Sequence, residues 1–205
     1  MIAIIDYGVG NLFSLRCSFA AIGQEAVVTG DPAVVAGAER IVLPGVGAFG
    51  DAAAKLRATG LDRVVTERAE AGVPVLGICL GMQLLLTESY EFGRHAGLDL
   101  INGSVRPIRE VIPANFKVPH IGWNALRFPG ARHPVFRHVY EGDHVYFVHS
   151  FHAADCDPAV IATTEYGALL TAAVAAGNVC GCQFHPEKSG KVGLAVLRGF
   201  CEWEG

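Results

Sequence analysis

The sequence has few charged residues and no long apolar run. Charged side chains make up 18% of its 205 residues, whereas 51% are hydrophobic. The net charge is −4 without any basic cluster, so the electrostatic footprint of a nucleic-acid-binding protein is absent. No apolar stretch approaches the ~20 residues needed to cross a bilayer, so we expect no membrane span. This composition favours a largely parallel sheet buried on both faces and a surface partly covered by a partner.

The usual features of exported and metal-binding proteins are also missing. The N-terminal sequence MIAIIDYGVGN has neither the charged region nor the cleavage site of a signal peptide, and we expect it to contain the first strand. No CxxC pair and no metal-ligand spacing with histidine occurs among the six cysteines, which are Cys17, Cys79, Cys156, Cys180, Cys182 and Cys201. We therefore expect a cytoplasmic protein with reduced, mostly buried thiols and no metal.

Strand-like and helix-like segments alternate in the first half of the chain. The predicted strands are Ile2–Ile5, Ala26–Val28, Ile41–Leu43 and Val73–Ile78, the third being stopped by Pro44-Gly45. The predicted helices are Asn11–Ile22, Ala52–Ala71 and a segment that follows the fourth strand through Leu86. This alternation predicts βα units and a parallel sheet.

Shorter strands with Pro, Gly and aromatic residues between them begin at about Gly97, and here we expect antiparallel additions. They are Val105–Pro107, Pro119–Asn124, Val145–Val148, Val160–Thr163 and Val179–Phe184, before a final helix at Ser189–Trp203. There are no repeats or linkers, so residues 1–205 are expected to form one domain. The predicted fold class is α/β, with an open, mostly parallel, flavodoxin-like central sheet flanked by helices and extended by antiparallel strands.

The segment Gly77-Ile78-Cys79-Leu80-Gly81 lies where a strand should turn into a helix, and it has the form of a nucleophile elbow. Glycines on both sides of Cys79 would avoid collisions in a sharp turn. The N-terminus of the following helix would stabilise a thiolate, and the N–H of Leu80 would point to a developing oxyanion. Read alone, the pentapeptide is equally compatible with a buried cysteine in a tight turn.

A second reactive segment is Gln183-Phe184-His185-Pro186-Glu187. Pro186 favours an extended His185, and residues i and i+2 of an extended segment project to the same side. Glu187 can therefore orient the ring of His185, whose other nitrogen can accept a proton from a thiol. A lone His-x-Glu is more often a surface pair, but an elbow cysteine upstream favours a catalytic role.

The glycine-rich segment Pro44–Gly50 follows an apolar strand and could aim backbone N–H groups at an anion. It lacks the Lys-Ser/Thr of a P-loop and the G-x-G-x-x-G spacing, so a phosphate loop is poorly supported. A second oxyanion donor fits better beside a nucleophilic cysteine, and a plain turn is the remaining alternative.

Together, PGVGAFG, GICLGMQLL, YFVHSFH and QFHPEKSG resemble the class I (triad) glutamine amidotransferases along essentially the whole chain. IIDYGVGN, PHIGWN and HPEKSG are most similar to the branch that supplies ammonia to imidazole glycerol phosphate synthase in histidine biosynthesis. The resemblance implies Cys79 as nucleophile, His185 as acid and base, and Glu187 as the orienting carboxylate. No cofactor is implied.

The resemblance also implies an oxyanion hole and a glutamine pocket. Leu80 would supply one N–H, and a strand-end N–H around Val46-Gly47 would supply another. Glutamine would contact Gln83 and the backbone of His149, Ser150 and Phe151. Phe151 departs from the family pattern, which usually has tyrosine at this position, so the role of this residue is open.

The implied partner is a (β/α)8-barrel cyclase that forms a heterodimer with this chain and uses the ammonia. Because the carboxyl ends of parallel strands gather at one edge, we expect Asn11, Trp123 and Lys188 to surround the active-site mouth and contact that partner. The alternatives are helix capping for Asn11, core packing for Trp123 and a solvated charge for Lys188.

Other functions and other residues remain open at this stage. The alternative functions are the glutaminase of a paralogous nucleotide-sugar or cofactor pathway, a non-catalytic regulatory subunit, and a stand-alone cysteine hydrolase. We expect structural or solvent-facing roles for His95, His133, His138 and His144. The sequence does not assign His120 or His152, and Phe200 and Trp203 are expected to pack the last helix.

Overall fold

The computed structural model describes all 205 residues. Its strands are β1 (Ile2–Ile5), β2 (Ala26–Thr29), β3 (Arg40–Gly45), β4 (Val75–Cys79), β5 (Leu86–Ser89), β6 (His95–Ala96), β7 (Ile101–Pro107), β8 (His120–Ala125), β9 (His144–His149), β10 (Phe151–Ala154), β11 (Val160–Glu165), β12 (Leu169–Ala176) and β13 (Val179–Cys182). Its α-helices are α1 (Leu12–Ala21), α2 (Pro32–Ala36), α3 (Phe49–Ala58), α4 (Leu61–Glu70), α5 (Leu80–Leu84) and α6 (Gly190–Glu202).

The central sheet has seven strands in the order β11-β12-β13-β4-β3-β1-β2. Five neighbouring strands, from β13 to β2, are parallel, and β12 and β11 extend the sheet in antiparallel fashion. The predicted α/β class with a mostly parallel sheet is therefore confirmed. Alternate residues of one strand enter different apolar clusters, since Ile41 and Leu43 pack in one and Val42 in the other. The sheet is thus buried on both faces, as its continuous apolar strands predict.

Two smaller β-structures complete the fold. A four-stranded sheet has the order β10-β7-β5-β6, and β8 pairs with β9 in an antiparallel ribbon. The expected antiparallel additions are confirmed, although two of the later strands pair in parallel, β13 with β4 and β7 with β5.

Several predicted boundaries were wrong for identifiable reasons. Pro44 and Gly45 continue β3 opposite Ile78 and Cys79, which is tolerated because pairing with β1 has already ended at Val42. The predicted helix Ala52–Ala71 is two helices, divided at Gly60 with a φ of 70°. The helix after Cys79 ends at Leu84, and Leu86 begins a strand instead. The sequence prediction also missed α2, β6, β10 and β12.

The final helix matches its prediction closely. It spans 13 residues, Gly190–Glu202, and both Phe200 and the following Trp203 are buried. None of the helices is long and apolar enough to cross a membrane.

Candidate active site

Three separate sequence segments meet because they follow neighbouring parallel strands. Gly45 at the end of β3 lies opposite Cys79 at the end of β4, and Cys182 of β13 lies opposite Ile78. The carboxyl ends of parallel strands share one edge of the sheet, which is where α/β proteins place their sites. The glycine-rich segment, the elbow and the His185 segment therefore converge there.

A cavity of about 350 Å³ opens at this edge and is lined by 13 residues. Ten of them belong to the set predicted from the sequence, namely Val46, Gly47, Cys79, Leu80, Gln83, His149, Ser150, Phe151, His185 and Lys188. The other three are Glu91, Pro119 and Val148. Of the remaining predicted residues, Glu187 lies behind His185, and Asn11 and Trp123 do not line the cavity.

Cys79 adopts the strained backbone of an elbow, with a φ of 54° and a ψ of −110°. The glycines around it have no room for a side chain. A Cβ atom at Gly81 would lie 1.8 Å from the carbonyl oxygen of Leu43, and one at Gly77 would lie 2.7 Å from that of Gly81. Close packing of β3, β4 and α5 therefore requires the glycines that the elbow interpretation anticipated.

His185 and Glu187 form a buried pair in which ring nitrogen Nδ1 donates to Oε1 over 2.9 Å. Their side chains are only 3% and 1% exposed. The second ring nitrogen, Nε2, is buried and has no hydrogen-bond partner within the chain. Burial favours the neutral ring, but interactions with the Cys79 thiol and the Glu187 carboxylate outweigh it and raise the pKa of His185 to about 9. The ring can therefore carry a proton at neutral pH.

The backbone around His185 is anchored on both sides. His185 donates its N–H to the carbonyl of Tyr146 in β9 over 3.0 Å. The hydroxyl of Ser189 donates to the carbonyl of His185 over 2.6 Å and accepts the N–H of Tyr146 at 3.0 Å. These bonds tie the segment to the β8–β9 ribbon.

Three residues that line the cavity, Val46, Gly47 and Leu80, have backbone N–H groups available as donors. Leu80 is the first residue of α5, so its N–H has no partner within the helix. The N–H groups of Val46 and Gly47 donate to no group of the chain. At the base of this segment, a Cβ atom on Gly45 would lie 2.8 Å from the hydroxyl of Tyr7, which donates to the carbonyl of Pro44.

A buried amide network beside Cys79 was only partly predicted from the sequence. Gln83 donates its amide Nε2 to Gln183 Oε1 at 3.0 Å and to the carbonyl of Phe151 at 3.2 Å. Gln183 in turn donates its Nε2 to Cys79 Sγ over 3.6 Å. Sequence analysis did not single out Gln183, although it stands two residues before His185, where an extended chain projects side chains to the same side.

Glu91 is the second functional candidate that the sequence analysis missed. Its side chain lines the cavity, and its Oε2 accepts the N–H of Phe49 over 2.6 Å. Burial raises the pKa of the Glu91 carboxyl, whereas the Phe49 hydrogen bond lowers it. The predicted helix ended at Leu86 and no element was assigned to the residues before Glu91, whereas Leu86–Ser89 form β5, which leads directly to this carboxylate.

The three predicted partner-facing residues occupy different positions. Trp123 lies on β8, is 53% exposed and is therefore not a core residue. Its ring centroid lies 6.0 Å from that of Tyr146, and Lys188 Nζ lies 5.8 Å from the Tyr146 centroid on the side of the cavity. Asn11 precedes α1, but its side chain makes no capping hydrogen bond.

The remaining histidines fall into two groups. His138 and His144 are exposed and His95 and His133 are partly buried, as expected, whereas His120 and His152 are buried. Four of the six cysteines are buried. No group of histidine, cysteine, aspartate and glutamate side chains is arranged to hold a metal ion.

The chain belongs to the class-I glutamine amidotransferase family, whose sequence model matches residues 3–202. It is 50% identical over 202 residues to the imidazole glycerol phosphate synthase subunit HisH of Methanothermobacter thermautotrophicus, covering 98% of both chains. It is 48% identical over 204 residues to the HisH subunit of Moorella thermoacetica, covering 98% of this chain and 94% of that one.

Solved structures agree on the fold. A crystal structure of a glutamine amidotransferase matches with a TM-score of 0.76 and 19% identity, over 98% of each chain. The PurLQS structure from Thermotoga maritima matches with a TM-score of 0.75 and 19% identity, over 98% of this chain and 97% of that one.

Proposed function

We propose that this chain is the glutaminase subunit of an imidazole glycerol phosphate synthase, and that Cys79, His185 and Glu187 carry its chemistry. One observation supports the assignment above others. A strained elbow cysteine and a histidine held by a buried carboxylate line the same cavity. The full-length similarity to HisH subunits points to the pathway.

In the first half of the reaction, the thiolate of Cys79 attacks the side-chain carbonyl carbon of glutamine. The C=O electron pair moves to oxygen, and the N–H groups of Leu80 and the Val46-Gly47 segment stabilise the oxyanion. Protonated His185 donates its proton to the leaving nitrogen as the C–N bond breaks. Ammonia departs and a glutamyl thioester remains on Cys79.

In the second half, neutral His185 accepts a proton from water, and the hydroxide formed adds to the thioester carbonyl. The tetrahedral intermediate collapses, the C–S bond breaks and glutamate leaves. His185 is again protonated and Cys79 is again a thiolate, so the cycle closes without a cofactor. Glu187 orients the ring and stabilises the imidazolium in both halves.

The cavity provides complementary groups for the rest of glutamine. The Glu91 carboxylate is a partner for the α-ammonium group, and binding that cation would stabilise its charged form. The backbone of His149, Ser150 and Phe151 and the amide of Gln83 lie along the same cavity. We assign these groups to substrate recognition.

The ammonia has to reach a second active site without entering bulk water, where it would be protonated and lose its nucleophilicity. We propose that a cyclase subunit with a (β/α)8-barrel fold docks over the cavity to form a cytoplasmic heterodimer. That pair would act as a lyase, releasing imidazole glycerol phosphate and aminoimidazole carboxamide ribotide. We assign Asn11, Trp123 and Lys188 to the contact surface.

The test is to purify the chain with its cyclase subunit and to measure glutamate and imidazole glycerol phosphate. We expect Cys79→Ala to abolish glutamate formation by several orders of magnitude and to leave the thermal transition in place. Product formation should persist with a high concentration of ammonium salt, because only the ammonia source is lost. Near-normal glutamate release by Cys79→Ala would refute the assignment of the nucleophile.

A further inference from the structure

Two buried imidazoles lie directly behind the cavity, and the proposed mechanism uses neither of them. His149 lines the cavity, whereas His120 in β8 is 0% exposed. Nδ1 of His120 lies 2.9 Å from Nε2 of His149, and Nδ1 of His149 lies 2.8 Å from the carbonyl oxygen of Phe151. The other nitrogen of His120 lies 2.9 Å from the side-chain oxygen of Asn124. The four residues form one continuous chain of hydrogen bonds.

The donors and acceptors in this series of hydrogen bonds can be assigned by starting from the Phe151 carbonyl. The Phe151 carbonyl can only accept, so Nδ1 of His149 carries the proton. In a neutral His149 ring Nε2 is then an acceptor, and His120 must donate its Nδ1–H to it. Burial lowers the pKa of His120 and lowers the pKa of His149 to about 3. The titratable groups facing His149 are three other histidines, His120, His152 and His185, so no carboxylate opposes this effect.

Asn124, at the other end of the series, can adjust to the protonation state of the His120–His149 pair. Asn124 can present its amide N–H to the bare nitrogen of a neutral His120. In the structure Asn124 presents its oxygen to His120 and donates its N–H to the Glu165 carbonyl at 2.9 Å, which is the orientation that fits a pair that has taken up a proton. In either state His149 keeps its Nδ1–H on the Phe151 carbonyl, so the inner bond is preserved.

Aromatic packing holds the His120 ring in place. Tyr166 stacks on one side with a centroid distance of 4.0 Å and a tilt of 20°, and Phe147 stacks with a distance of 4.9 Å and a tilt of 18°. Tyr166 is itself held by donating its hydroxyl to the carbonyl of Lys117. A phenylalanine at position 120 would fill this aromatic space and lack only the hydrogen bonds.

We infer that His120 is a positioning residue for glutamine binding. It orients His149, and His149 then holds the Phe151 carbonyl at the connection between β9 and β10. The same carbonyl accepts the amide of Gln83, so both sides of the glutamine pocket depend on this contact. The inference rests on the proposed function, because it assumes that the His149–Phe151 segment contacts glutamine.

The test compares His120→Phe with His120→Asn in the full chain assembled with its cyclase subunit. An asparagine amide can occupy the position of Nδ1 and donate the same hydrogen bond, whereas phenylalanine cannot. In a Cys79→Ala background, which binds glutamine without hydrolysing it, we expect His120→Phe to weaken glutamine binding about tenfold. We expect His120→Asn to restore binding to within about threefold of the parent. With Cys79 present, KM should rise more than kcat falls.

Nitrogen-15 spectra of labelled histidine provide a readout that simple destabilisation would not change. His149 should be the Nδ1–H tautomer in the parent chain. If the phenylalanine variant fails to fold, His120→Gln replaces it, because its longer side chain keeps a polar group but not the donor at Nδ1. Unchanged glutamine binding in the variant that lacks the donor, or an Nε2–H tautomer of His149, would overturn the inference. A parent complex that does not hydrolyse glutamine would instead refute the proposed function.

Discussion

At the residue scale, His185 is the group whose protonation state governs the proposed reaction. Its ring is buried, yet contact with the Cys79 thiol and the Glu187 carboxylate raises its pKa from 6.5 to about 9. A raised pKa in the folded state means that the protonated ring stabilises the fold fully below pH ~6.5, and that this contribution is lost as pH rises towards 9. The same proton is the one that ammonia needs to leave.

We predict that Glu187→Gln is less damaging than His185→Ala, by about tenfold or more in kcat. A glutamine can still hold the ring, but it no longer stabilises the imidazolium, so the pKa of His185 falls. The alkaline limb of glutaminase activity should therefore move to lower pH in Glu187→Gln. The measurement is a pH–rate profile of the parent and Glu187→Gln complexes at saturating glutamine.

His138→Gln provides the control for this prediction, because His138 is exposed and pairs with Glu202 far from the cavity. Its profile should coincide with that of the parent. Equal damage in Glu187→Gln and His185→Ala would show that the carboxylate does more than orient and charge the ring. An alkaline limb that does not move would show that it does not raise the pKa of His185.

At the scale of elements, the site depends on how closely α5 approaches β3. The helix starts immediately after Cys79, and Gly81 packs with its Cα against the carbonyl of Leu43. No rotamer can relieve a clash between a Cβ atom and a backbone carbonyl, so a side chain here would force the two elements apart. The thiol and the Leu80 N–H would then move relative to the glycine-rich segment.

We predict that Gly81→Ala lowers the free energy of unfolding by about 3 kcal/mol or more and abolishes glutaminase activity. The matched control is Gly130→Ala, since a Cβ atom there meets nothing within 4 Å. Its stability should stay within about 0.5 kcal/mol of the parent. Urea unfolding of both variants gives the comparison, and a Gly81→Ala protein as stable as Gly130→Ala would show that the elbow tolerates a side chain.

At the scale of the whole molecule, the β8–β9 ribbon connects an exposed surface to the active site. Trp123 is exposed on one strand, and Tyr146 on the other is hydrogen-bonded to His185 and Ser189. Exposed apolar residues beside a functional cavity are typical of a protein interface. A partner that docks on the ribbon would therefore contact the strand whose Tyr146 carbonyl accepts the N–H of His185.

We predict that Lys188→Ala and Asn11→Ala weaken partner-stimulated glutaminase activity far more than they lower the melting temperature of the isolated chain. Trp123→Ala should in addition release ammonia to solvent, so that less than one imidazole glycerol phosphate forms per glutamine consumed. The measurement is the ratio of product to glutamate in the reconstituted pair, together with the affinity of the two subunits.

Glu25→Ala is the control for these three variants, because Glu25 is exposed and precedes β2, at the amino edge of the parallel sheet and opposite to the cavity. It should leave both the ratio and the affinity unchanged. A ratio of one with unaltered affinity in Lys188→Ala, Asn11→Ala and Trp123→Ala would place the partner on another face.

Local sequence patterns determined where most strands lie along the chain, where the elbow is, and that His185 pairs with Glu187. These features depend on neighbours within a few residues, such as glycines on each side of Cys79 or a proline that extends the chain. Ten of the residues predicted from these motifs and from the family resemblance line one cavity, because motifs after buried strands of a parallel sheet meet at its carboxyl edge.

Only the tertiary structure decided which distant side chains complete the site. Gln183 contacts Cys79, Glu91 reaches the cavity from β5, and His120 meets His149 across the β8–β9 ribbon. Each contact depends on strand pairing between segments far apart in the chain, which local periodicity does not record. For the same reason β12 was missed, since its burial depends on packing against β10 and on pairing with β11 and β13.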